Sequence, residues 1–416
     1  MKYLLGVAIT LFWATTAPAA ESASPLSVLL DEAVQNNPDI LAARRAWQAA
    51  TQVSSQVSTM PDPQVTVQHV SVGSPRPFAG FSNSDFAYIG LGISQDLPFP
   101  GKLKLKGEVA DRDADVIRQK LEAARRSVFQ QVKEAYFQLA YIQQTLGILD
   151  RNDKLLEQIE KIAEAHYRVG QGSQQDVLKA QLERTKLQRE LVHHHEVMQT
   201  QEALLRKLLN RAGDSPDVTT EPLVETPLSL TIDELLAKVR TENPEVAGQH
   251  EMINRQSLQV EMARKDRYPD FSVQYMWQHT AEQFRDYYMV SFSARLPIYR
   301  RRKLNPEMAQ AVEELHRSKR EYESQVQSVF FDVRNQYLMA ETSSQMLRIY
   351  REGLIPQALA TYQSGLAAYQ TGRLDFESLL SGLKDVLNFD EEYWKALADH
   401  ETALAKIEQL TAVSFR

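Results

Sequence analysis

The chain has 416 residues, no cysteine and a formal net charge of −7. Its length allows two or three ordinary domains or one elongated domain. The lack of cysteine excludes a disulfide framework, a thiolate metal site and an acylated N-terminal cysteine. The acidic balance argues against a nucleic-acid-binding protein, in which an excess of Lys and Arg is expected.

The N-terminal segment predicts a signal peptide over residues 1–20. Lys2 precedes an apolar run over residues 3–13, and Ala17-Pro18-Ala19 follows. This order is that of a secretory signal, and the run is too short to span a bilayer stably, although a membrane anchor is the alternative. No later segment approaches about 18 consecutive apolar residues, which argues against a transmembrane helix. We therefore expect an exported protein that is either soluble or inserted into an outer membrane through strands.

The remaining chain contains the same pattern twice. The stretch "VFQQVKEAYFQLA" (residues 128–140) aligns without gaps on "VFFDVRNQYLMAE" (residues 329–341). Similarly, "YRVGQGSQQDVL" (residues 167–178) aligns on "YQTGRLDFESLL" (residues 369–380). Matches in the same order at a nearly constant offset predict a duplication. The duplication divides the chain into a first repeat (21–210), an irregular connector (211–230) and a second repeat (231–416).

Each repeat is predicted to contain an opening helix, two strands, a long helix, a glycine turn and a returning helix. Asn37-Pro38 and Asn243-Pro244 lie in the opening segments, the first of which is predicted as one helix over residues 26–59. Apolar residues spaced by three and four between Ile117 and Leu149 indicate a coiled-coil stripe on a helix about 95 Å long. Pro356 is expected to kink the second long helix. The first repeat is assigned strands over about 64–72 and 86–97, a long helix over about 104–166 and a returning helix over about 174–210. The second is assigned strands over about 270–280 and 286–296, a long helix over about 306–368 and a returning helix over about 376–411.

The four strand-like stretches alternate apolar and polar residues, as in "FSVQYMWQ" (residues 271–278). In the first stretch the alternation slips between Val67 and Val70, which suggests a bulge. Lengths of about 9 to 11 residues suit tilted membrane strands, although a half-buried sheet in a soluble protein would alternate in the same way. Four strands cannot close a transmembrane barrel, whose smallest form has about eight. Strands in a membrane would therefore need two chains to supply eight or three chains to supply twelve.

Prolines mark the two places where a strand is expected to give way to a long helix. In "SQDLPFPGKLKLKGE" (residues 94–108), two prolines interrupt strand and helix, and the glycine that follows allows a bend. The next cations, Lys102, Lys104 and Lys106, are expected where lipid gives way to solvent. The stretch "ARLPIYRRRKLNPE" (residues 294–307) is the equivalent in the second repeat. The residues predicted to form these joints are Pro98, Pro100, Gly101 and Pro297.

This plan resembles that of the TolC-type outer-membrane efflux channel family. The duplicated order of elements, the paired Asn-Pro sites and the turns "YRVGQGSQQDVLKAQ" and "YQTGRLDFESLLSGL" carry the resemblance. It implies a mainly α fold with a small membrane β part, in which a homotrimer forms a twelve-stranded β-barrel that continues into a long periplasmic α-helical barrel. It also implies the outer membrane of a Gram-negative bacterium, contact with its lipid, a periplasmic membrane-fusion adaptor and an inner-membrane pump of the resistance-nodulation-division type.

The stretches "QDLPFPGKLKLKGE" and "GLIPQALATYQSGLAAYQTGRLDF" are similar to the heavy-metal branch of this family, the cobalt–zinc–cadmium and copper–silver channels. In the family the glycine turns form the periplasmic tip. The resemblance thus implies that the turns meet the adaptor, although ordinary turn chemistry alone could explain the glycines. An exposed apolar residue beside a cation could dock another helical hairpin. The residues implied in docking are Arg168, Val169, Gly170, Gly172, Gly372, Arg373 and Leu374.

Some family members narrow the pore with acidic rings just past the second tip glycine. The matching positions here are Ser378 and Ser381, which are not acidic, but Asp375 and Glu377 lie close by. Threefold symmetry would gather these carboxylates into clusters able to concentrate cations in a pore mouth. The alternative is that they cap and charge the N-terminus of a helix.

The sequence predicts no catalytic residue, no cofactor site and no resident metal site. His193, His194 and His195 are consecutive, and neighbouring residues of a helix point about 100° apart, so they do not converge on one ion. We find no nucleophile–base pattern, no phosphate loop and no H-E-x-x-H motif. The predicted function is therefore a passive outer-membrane channel of a tripartite exporter, with heavy-metal cations as cargo. A type I protein-secretion or drug-efflux channel is one alternative, and a soluble periplasmic coiled-coil adaptor or scaffold is an alternative of another class.

Overall fold

The structure is a computed structural model that describes residues 24–71, 86–280 and 284–415. The predicted signal peptide (1–20) and the end of the predicted strand 64–72 lie outside these residues. Within them, helices predominate and four strands form one sheet. The predicted fold class, mainly α with a small β part, is confirmed. None of the described helices is both long enough and apolar enough to cross a membrane.

In both halves of the chain, opening helices are followed by two strands, a long helical segment and a returning helix. The first half forms α1 (Leu26–Asn36), α2 (Pro38–Thr51), α3 (Val53–Ser58), β1 (Gln64–Val70), β2 (Tyr88–Leu97), α4 (Lys102–Arg168) and α5 (Gln174–Leu209). The second half forms α6 (Ile232–Glu242), α7 (Pro244–Lys265), β3 (Asp270–Thr280), β4 (Tyr287–Arg295), α8 (Asn305–Ile349), α9 (Ile355–Gln370) and α10 (Phe376–Thr411).

The Asn-Pro pairs begin helices. The side-chain oxygen of Asn37 accepts hydrogen bonds from the backbone N–H of Asp39 at 2.9 Å and of Ile40 at 3.2 Å, and thereby caps α2. Asn243 caps α7 in the same way. Asparagine is a favoured N-cap, proline is a favoured first helical residue, and the residue before a proline avoids helical angles. The prediction of one helix over residues 26–59 is therefore wrong, since this segment forms α1, α2 and α3.

Pro356 is accommodated by a π-helical turn, Tyr350–Leu354, between α8 and α9. Proline has no N–H, and its ring clashes with the carbonyl four residues earlier, which here belongs to Glu352. The wider turn changes the hydrogen-bond register just before the proline, where the α-helical ladder could not continue. The long helix predicted over residues 306–368 is thus two α-helices with a π-helical turn between them.

The chain divides into two compact units, and each draws on both sequence repeats. The turn unit contains the described residues up to 33 together with 131–225 and 342–402. The sheet unit contains residues 34–130, 226–341 and the described residues from 403 onward. Both α4 and α10 contribute residues to each unit, so neither repeat can be a compact domain by itself.

One apolar cluster from four helices is the core of the turn unit. The three-and-four spacing along α4 and α10 keeps the apolar residues of each helix on one side, where the helices contact each other. The connector (211–230) is hydrogen-bonded to α4. The hydroxyl of Tyr136 accepts from the backbone N–H of Glu221 at 2.7 Å, and the side-chain amide of Gln143 donates to the carbonyl of Val218 at 3.0 Å. The buried members of the cluster are Leu149, Leu156, Ile159, Ala163, Ala180, Leu187, Tyr362, Tyr369, Phe376, Leu379, Leu380 and Leu383.

The sheet unit contains an antiparallel sheet in the order β1-β2-β3-β4. The pairing of β1 with β2 runs without interruption from Gln64 opposite Ser94 to Val70 opposite Tyr88. The bulge predicted in the first strand is therefore wrong. Val70 lies on the same face as Gln64 because the alternation of residue types fails there while the backbone stays regular.

A second apolar cluster holds the helices of the sheet unit together. Asn243 contributes to it from the α6–α7 boundary, because its side-chain amide donates to the carbonyl of Leu410 in α10 at 3.0 Å. The buried members are Leu235, Val239, Val246, Val326, Val329, Val333, Ala340, Ala403, Leu404, Ile407 and Leu410.

Candidate functional site

The turn between α4 and α5 is closed by backbone hydrogen bonds around Gly170. Gly170 has a φ of 74°, and its N–H donates to the carbonyl of Tyr167 at 3.1 Å. The next N–H, that of Gln171, donates to the carbonyl of His166 at 2.8 Å. These two bonds and the left-handed glycine form a Schellman motif, which satisfies the last carbonyls of a helix and turns the chain away.

The turn between α9 and α10 repeats this geometry at Gly372. Gly372 has a φ of 71°, and its N–H donates to the carbonyl of Tyr369 at 3.0 Å. The N–H of Arg373 donates to the carbonyl of Ala368 at 2.9 Å. Gly170 and Gly372 are thus structurally equivalent, which matches the alignment of the two repeats. Both glycines are required by the backbone, because a positive φ is unfavourable for other residues.

The helices that leave the two turns are capped by the same pair of residue types in opposite order. In the first turn, Ser173 caps α5, its hydroxyl accepting from the N–H of Asp176 at 3.2 Å while the Asp176 carboxylate accepts from the N–H of Ser173 at 3.1 Å. In the second turn, Asp375 accepts from the N–H of Ser378 at 2.9 Å and from its hydroxyl at 2.8 Å. Each arrangement satisfies free N–H groups of the first helical turn.

The second turn is anchored to the apolar core, whereas the first is not. Tyr369 and Phe376 flank Gly372 and are 4% and 3% exposed. Tyr167, the residue equivalent to Tyr369, is 49% exposed. The ring of Tyr369 lies 5.1 Å from the ring of His166 and 5.8 Å from that of Phe376. Burial, together with the nearby Asp176 carboxylate, raises the pKa of Tyr369.

Only some of the residues implied in docking are exposed. Arg168 and Arg373 are exposed at the two turns, and Val169 is 67% exposed. Leu374 differs, because it is half-buried and packs against the core of the turn unit. The structure therefore argues against Leu374 as an exposed docking residue, because its side chain folds back beside Gly365 of α9, where an added Cβ would lie 3.3 Å from Leu374 Cδ2. A side chain at Gly172 would crowd α4, since a Cβ there would lie 3.0 Å from the Cβ of His166.

Both carboxylates suggested for a pore mouth already have partners in the turn unit. Asp375 is the helix cap, and the backbone N–H of Ser378, followed by its hydroxyl, lowers the pKa of Asp375. Glu377 forms an ion pair with Lys179 of α5, and this hydrogen bond raises the pKa of Lys179. In the single chain, Asp375 thus has the geometry of a helix cap, which the sequence analysis gave as the alternative.

The first strand-to-helix joint contains an ion cluster around a buried lysine that the sequence prediction missed. The ammonium group of Lys102 lies 2.9 Å from a carboxylate oxygen of Asp270 and 3.4 Å from one of Asp266. Asp270 also accepts from the backbone N–H of Phe99 at 2.9 Å, between the two joint prolines. Lys102 is buried, so the expectation that it lies where lipid meets solvent is wrong, while Lys104 and Lys106 are exposed. Only the register of β2 on β3, which pairs Leu97 with Phe271, could have indicated this cluster.

Gly101 completes the first joint with a φ of 86°, and α4 begins at the next residue. The second joint is built differently. Pro297 is followed by exposed Ile298 and Tyr299, and then by a π-helical turn, Arg300–Leu304, that continues into α8. The joint residues predicted from the sequence therefore lie between strand and helix in both halves, but only the first joint uses a left-handed glycine.

The three consecutive histidines have separate surroundings. His193 lies 3.5 Å from Glu196 of its own helix, and His194 lies 3.8 Å from Glu391 of α10. Across the described ranges, no group of three or more His, Asp or Glu side chains is arranged to hold a metal ion.

The family to which the chain belongs follows from its sequence. The profile of the family "Outer membrane efflux protein" matches residues 29–211 and 235–413. The chain belongs to this family. The two matched segments correspond to the two repeats of the chain, and the outer membrane efflux proteins are channel and transport proteins, not enzymes. No curated protein matches the chain significantly.

Solved structures of outer-membrane channels share the fold of this efflux protein. CusC is 16% identical with a TM-score of 0.79, and the match covers 93% of this chain and 91% of that one. The outer-membrane channel OprN is 16% identical with a TM-score of 0.80, covering 98% and 97%. The open state of the MtrE outer membrane channel of Neisseria gonorrhoeae is 17% identical with a TM-score of 0.78, covering 94% and 89%. At these identities the likeness is one of fold.

Proposed function

We propose that this protein is the outer-membrane channel of a tripartite efflux system. Three copies would share one twelve-stranded β-barrel in the outer membrane of a Gram-negative bacterium, and their helices would continue it as a long α-helical barrel in the periplasm. The channel would be passive, with energy supplied by an inner-membrane pump of the resistance-nodulation-division type through a periplasmic membrane-fusion adaptor. The observation that carries this proposal is the inverted polarity of the sheet.

One face of the sheet is apolar and open. Val65, Ile93, Tyr275 and Val290 lie side by side across all four strands, and these side chains are between 46% and 69% exposed. The next row, on the opposite face, is Gln64, Ser94, Gln274 and Ser291. A soluble sheet buries its apolar face, whereas a transmembrane barrel turns it outward to lipid and encloses the polar face.

The edges of the sheet support sharing of one barrel between chains. Within the described residues, β1 pairs only with β2, and β4 pairs only with β3. An open strand edge in lipid leaves backbone groups without hydrogen bonds, which is too costly to persist. Pairing of β4 of one copy with β1 of the next would remove every edge, and three copies would give a barrel of twelve strands.

The exposed residues of the two turns are proposed to meet the adaptor. Arg168 and Val169 at the first turn and Arg373 at the second combine exposed cations with an exposed apolar side chain. A cation beside an apolar anchor suits a partner hairpin with an acidic rim. Gly170, Gly172 and Gly372 would give these side chains their position, and Leu374 would support the turn from inside.

The acidic ring is proposed for Glu377 and Asp375 in the trimer. Glu377 has an exposed side chain apart from its contact with Lys179, and threefold symmetry would bring three copies of it around one axis. Such a cluster would raise the local concentration of cations at a narrow mouth. Asp375, which is occupied as a helix cap, would contribute charge without losing that role.

Heavy-metal cations are the proposed cargo. The proposal depends on the similarity of "QDLPFPGKLKLKGE" and "GLIPQALATYQSGLAAYQTGRLDF" to the cobalt–zinc–cadmium and copper–silver channels. A type I protein-secretion or drug-efflux channel would use the same fold. These alternatives are separated by the partner captured by cross-linking at Val169: a proton-driven metal pump and its adaptor, a drug pump, or an ATP-driven secretion transporter.

The membrane assignment is tested with two arginine substitutions at neighbouring positions of β3. Tyr275→Arg places a charge on the apolar face, and Gln274→Arg places the same charge on the polar face. Near the middle of a bilayer the lipid-facing charge should cost about 2 to 4 kcal/mol per chain. We expect Tyr275→Arg to abolish the heat-modifiable, detergent-dependent trimer while Gln274→Arg retains it. A monodisperse soluble monomer from the wild-type protein would favour the alternative of a periplasmic adaptor or scaffold.

The docking role is tested by the double variant R168E/R373E in cells that lack their own channel and express the pump and adaptor. Reversal of both charges should abolish pump-dependent resistance to metal salts while the trimer still forms. The matched control is R189E/R348E, which reverses two exposed cations elsewhere in the turn unit. Unchanged efflux in R168E/R373E, or equal loss in the control, would refute docking through these arginines.

A further inference from the structure

The strongest unexplained charge in the described chain is a basic run at the second strand-to-helix joint. Residues 287–306 contain five cations and no Asp or Glu. The five cations are Arg295, Arg300, Arg301, Arg302 and Lys303. The register pairs Leu97 with Phe271 and Phe271 with Ala294, so these three residues lie at the same end of the sheet, where β2 and β4 end and β3 begins.

The last four of these cations are exposed and have no ion-pair partner among the described residues. Two cations further along in α8 are paired instead: Arg317 forms an ion pair with Glu314, and Arg320 forms one with Glu323. Four adjacent like charges repel one another, so leaving them unpaired has a cost in the free chain. Arg267 adds to the same region, because its guanidinium donates to Asn305 at 3.3 Å.

Apolar side chains lie directly between the sheet and this basic run. Leu296, Ile298 and Tyr299 are 64%, 69% and 70% exposed. They continue the apolar series of β4, whose Phe292 is 67% exposed. An exposed aromatic residue with cations just beyond an apolar surface is typical of a membrane–water boundary.

A cavity of about 340 Å³ opens at the same place. It is lined by Leu296, Ile298, Tyr299 and Lys303 on one side and by the ion cluster of the first joint on the other. The two aspartates of that cluster are engaged by Lys102, which leaves Glu307 as the lining carboxylate without an ion pair in the described structure.

The first joint also carries cations, Lys102, Lys104 and Lys106, and the first two of them have carboxylate partners within the sheet unit. Lys102 is buried against Asp266 and Asp270, and Lys104 lies 3.5 Å from Glu108. The aromatic residue of the first joint, Phe99, stacks on Tyr268 with ring centroids 4.5 Å apart, whereas Tyr299 of the second joint is exposed to solvent. Only the second joint therefore presents both unpaired cations and an uncovered apolar surface.

We propose that the second joint binds an anionic phospholipid of the periplasmic leaflet. Headgroup phosphates contact the arginines of residues 300–302, and the acyl chains lie along Leu296, Ile298 and the apolar face of β4. The inference rests on the proposed membrane insertion of the sheet. Guanidinium groups suit a phosphate headgroup because they form paired hydrogen bonds to its oxygens and are more weakly hydrated than ammonium groups. Successive helical residues point in different directions, so the three arginines do not converge on one phosphate but contact headgroup phosphates on different sides of the turn.

The test uses the purified trimer in detergent and counts bound lipid by native mass spectrometry after addition of phosphatidylglycerol or phosphatidylethanolamine. Wild type should retain phosphatidylglycerol in preference to the zwitterionic lipid, and R300Q/R301Q/R302Q should lower its apparent affinity at least tenfold. The matched control, K319Q/R334Q/R348Q, removes three exposed cations of α8 that have no ion pair within the described part of the chain, and it should bind as wild type. R300K/R301K/R302K keeps the charge and should retain part of the affinity.

Three results would overturn the proposal. Equal retention of the two lipids by wild type would do so, as would unchanged phosphatidylglycerol binding in R300Q/R301Q/R302Q. Full competition by millimolar glycerol phosphate would indicate a site for free phosphate instead of a lipid. Trimer formation and insertion into phosphatidylethanolamine vesicles are measured on the same samples. Insertion without lipid preference contradicts only this inference, whereas failure to insert into any vesicle contradicts the proposed function.

Discussion

The Gly170 turn and the Gly372 turn have the same backbone hydrogen bonds but different attachments to the core. Each is a Schellman motif followed by a capped helix. At the Gly372 turn, Tyr369 and Phe376 are buried, and Leu374 also packs inward. At the Gly170 turn, Tyr167 and Val169 are exposed and the position equivalent to Leu374 is Gly172.

This difference shows how one duplicated motif can serve two purposes. Backbone bonds and caps are local, so both copies keep them after duplication. Apolar contacts depend on what surrounds each copy, so they can diverge. The Gly372 turn is consequently held by the core of the turn unit, while the Gly170 turn presents its side chains to solvent. We therefore expect substitutions of side chains to separate the two turns and substitutions of the backbone glycines to affect them equally.

The largest difference is expected for Phe376→Ala compared with Gln174→Ala at the equivalent position. Removal of a buried phenylalanine should lower the free energy of unfolding by about 3 to 5 kcal/mol. Gln174 is exposed, and its substitution should change the free energy of unfolding by less than about 0.5 kcal/mol. Chemical denaturation of the purified protein, with amide exchange at both turns, measures this. Similar losses would mean that the two turns are equally anchored.

The next effect should be the same at both turns. Gly170→Ala and Gly372→Ala each force a residue with a Cβ into the left-handed region, at a cost of about 1 to 2 kcal/mol. Open space surrounds both positions, so no clash adds to this cost. Thermal unfolding of the two variants should therefore give equal shifts. A shift in only one of the two variants would contradict the conclusion that the two turns have equivalent backbones.

A smaller effect distinguishes the caps by their response to acid. The folded-state pKa of Asp375 is lowered, so its cap contributes stability above the unfolded pKa of about 3.9 and loses it as the pH falls through the lower folded value. The protection factor of the Ser378 amide, which corrects for the intrinsic exchange rate at each pH, should thus fall below about pH 4, and Asp375→Asn should remove this dependence. Ser173→Ala should cost about 1 kcal/mol at any pH, because a hydroxyl cap does not titrate. A protection factor at Ser378 that stays constant through this pH range in wild type would argue against the carboxylate cap.

The smallest effect is expected for the ion pair between Lys179 and Glu377. Both side chains are at least one-third exposed, so solvent and salt screen the attraction. The pKa of Lys179 is raised, so any contribution is present at neutral pH and is lost as the pH rises above about 10.4. Lys179→Gln should therefore shift the thermal midpoint less than the Phe376, glycine and Ser173 variants above, and only at low salt. A large shift in high salt would show that Lys179 has another role.

The element order, the returning helix over Phe376–Thr411 and the two glycine turns could be recognised in the sequence because they depend on short-range rules. Hydrophobic spacing, caps and glycine at positive φ act within a few residues of one another. The same local reasoning missed the break at Asn37-Pro38, where the N-cap preference outweighed the helical spacing around it. It also misread the alternation near Val70 as a bulge, since residue type does not report strand pairing.

The sequence by itself determined the duplication, the mainly helical class and the positions of the turns, because each is encoded by neighbouring residues. Tertiary structure alone decided that Leu374 is half-buried, that Lys102 joins Asp266 and Asp270, and that Arg300, Arg301 and Arg302 have no ion-pair partner among the residues that the structure describes. These outcomes depend on residues more than 100 positions apart being brought together by strand register and helix packing. The free energy of a charge or an apolar side chain is set by those distant neighbours, which no short stretch of sequence specifies.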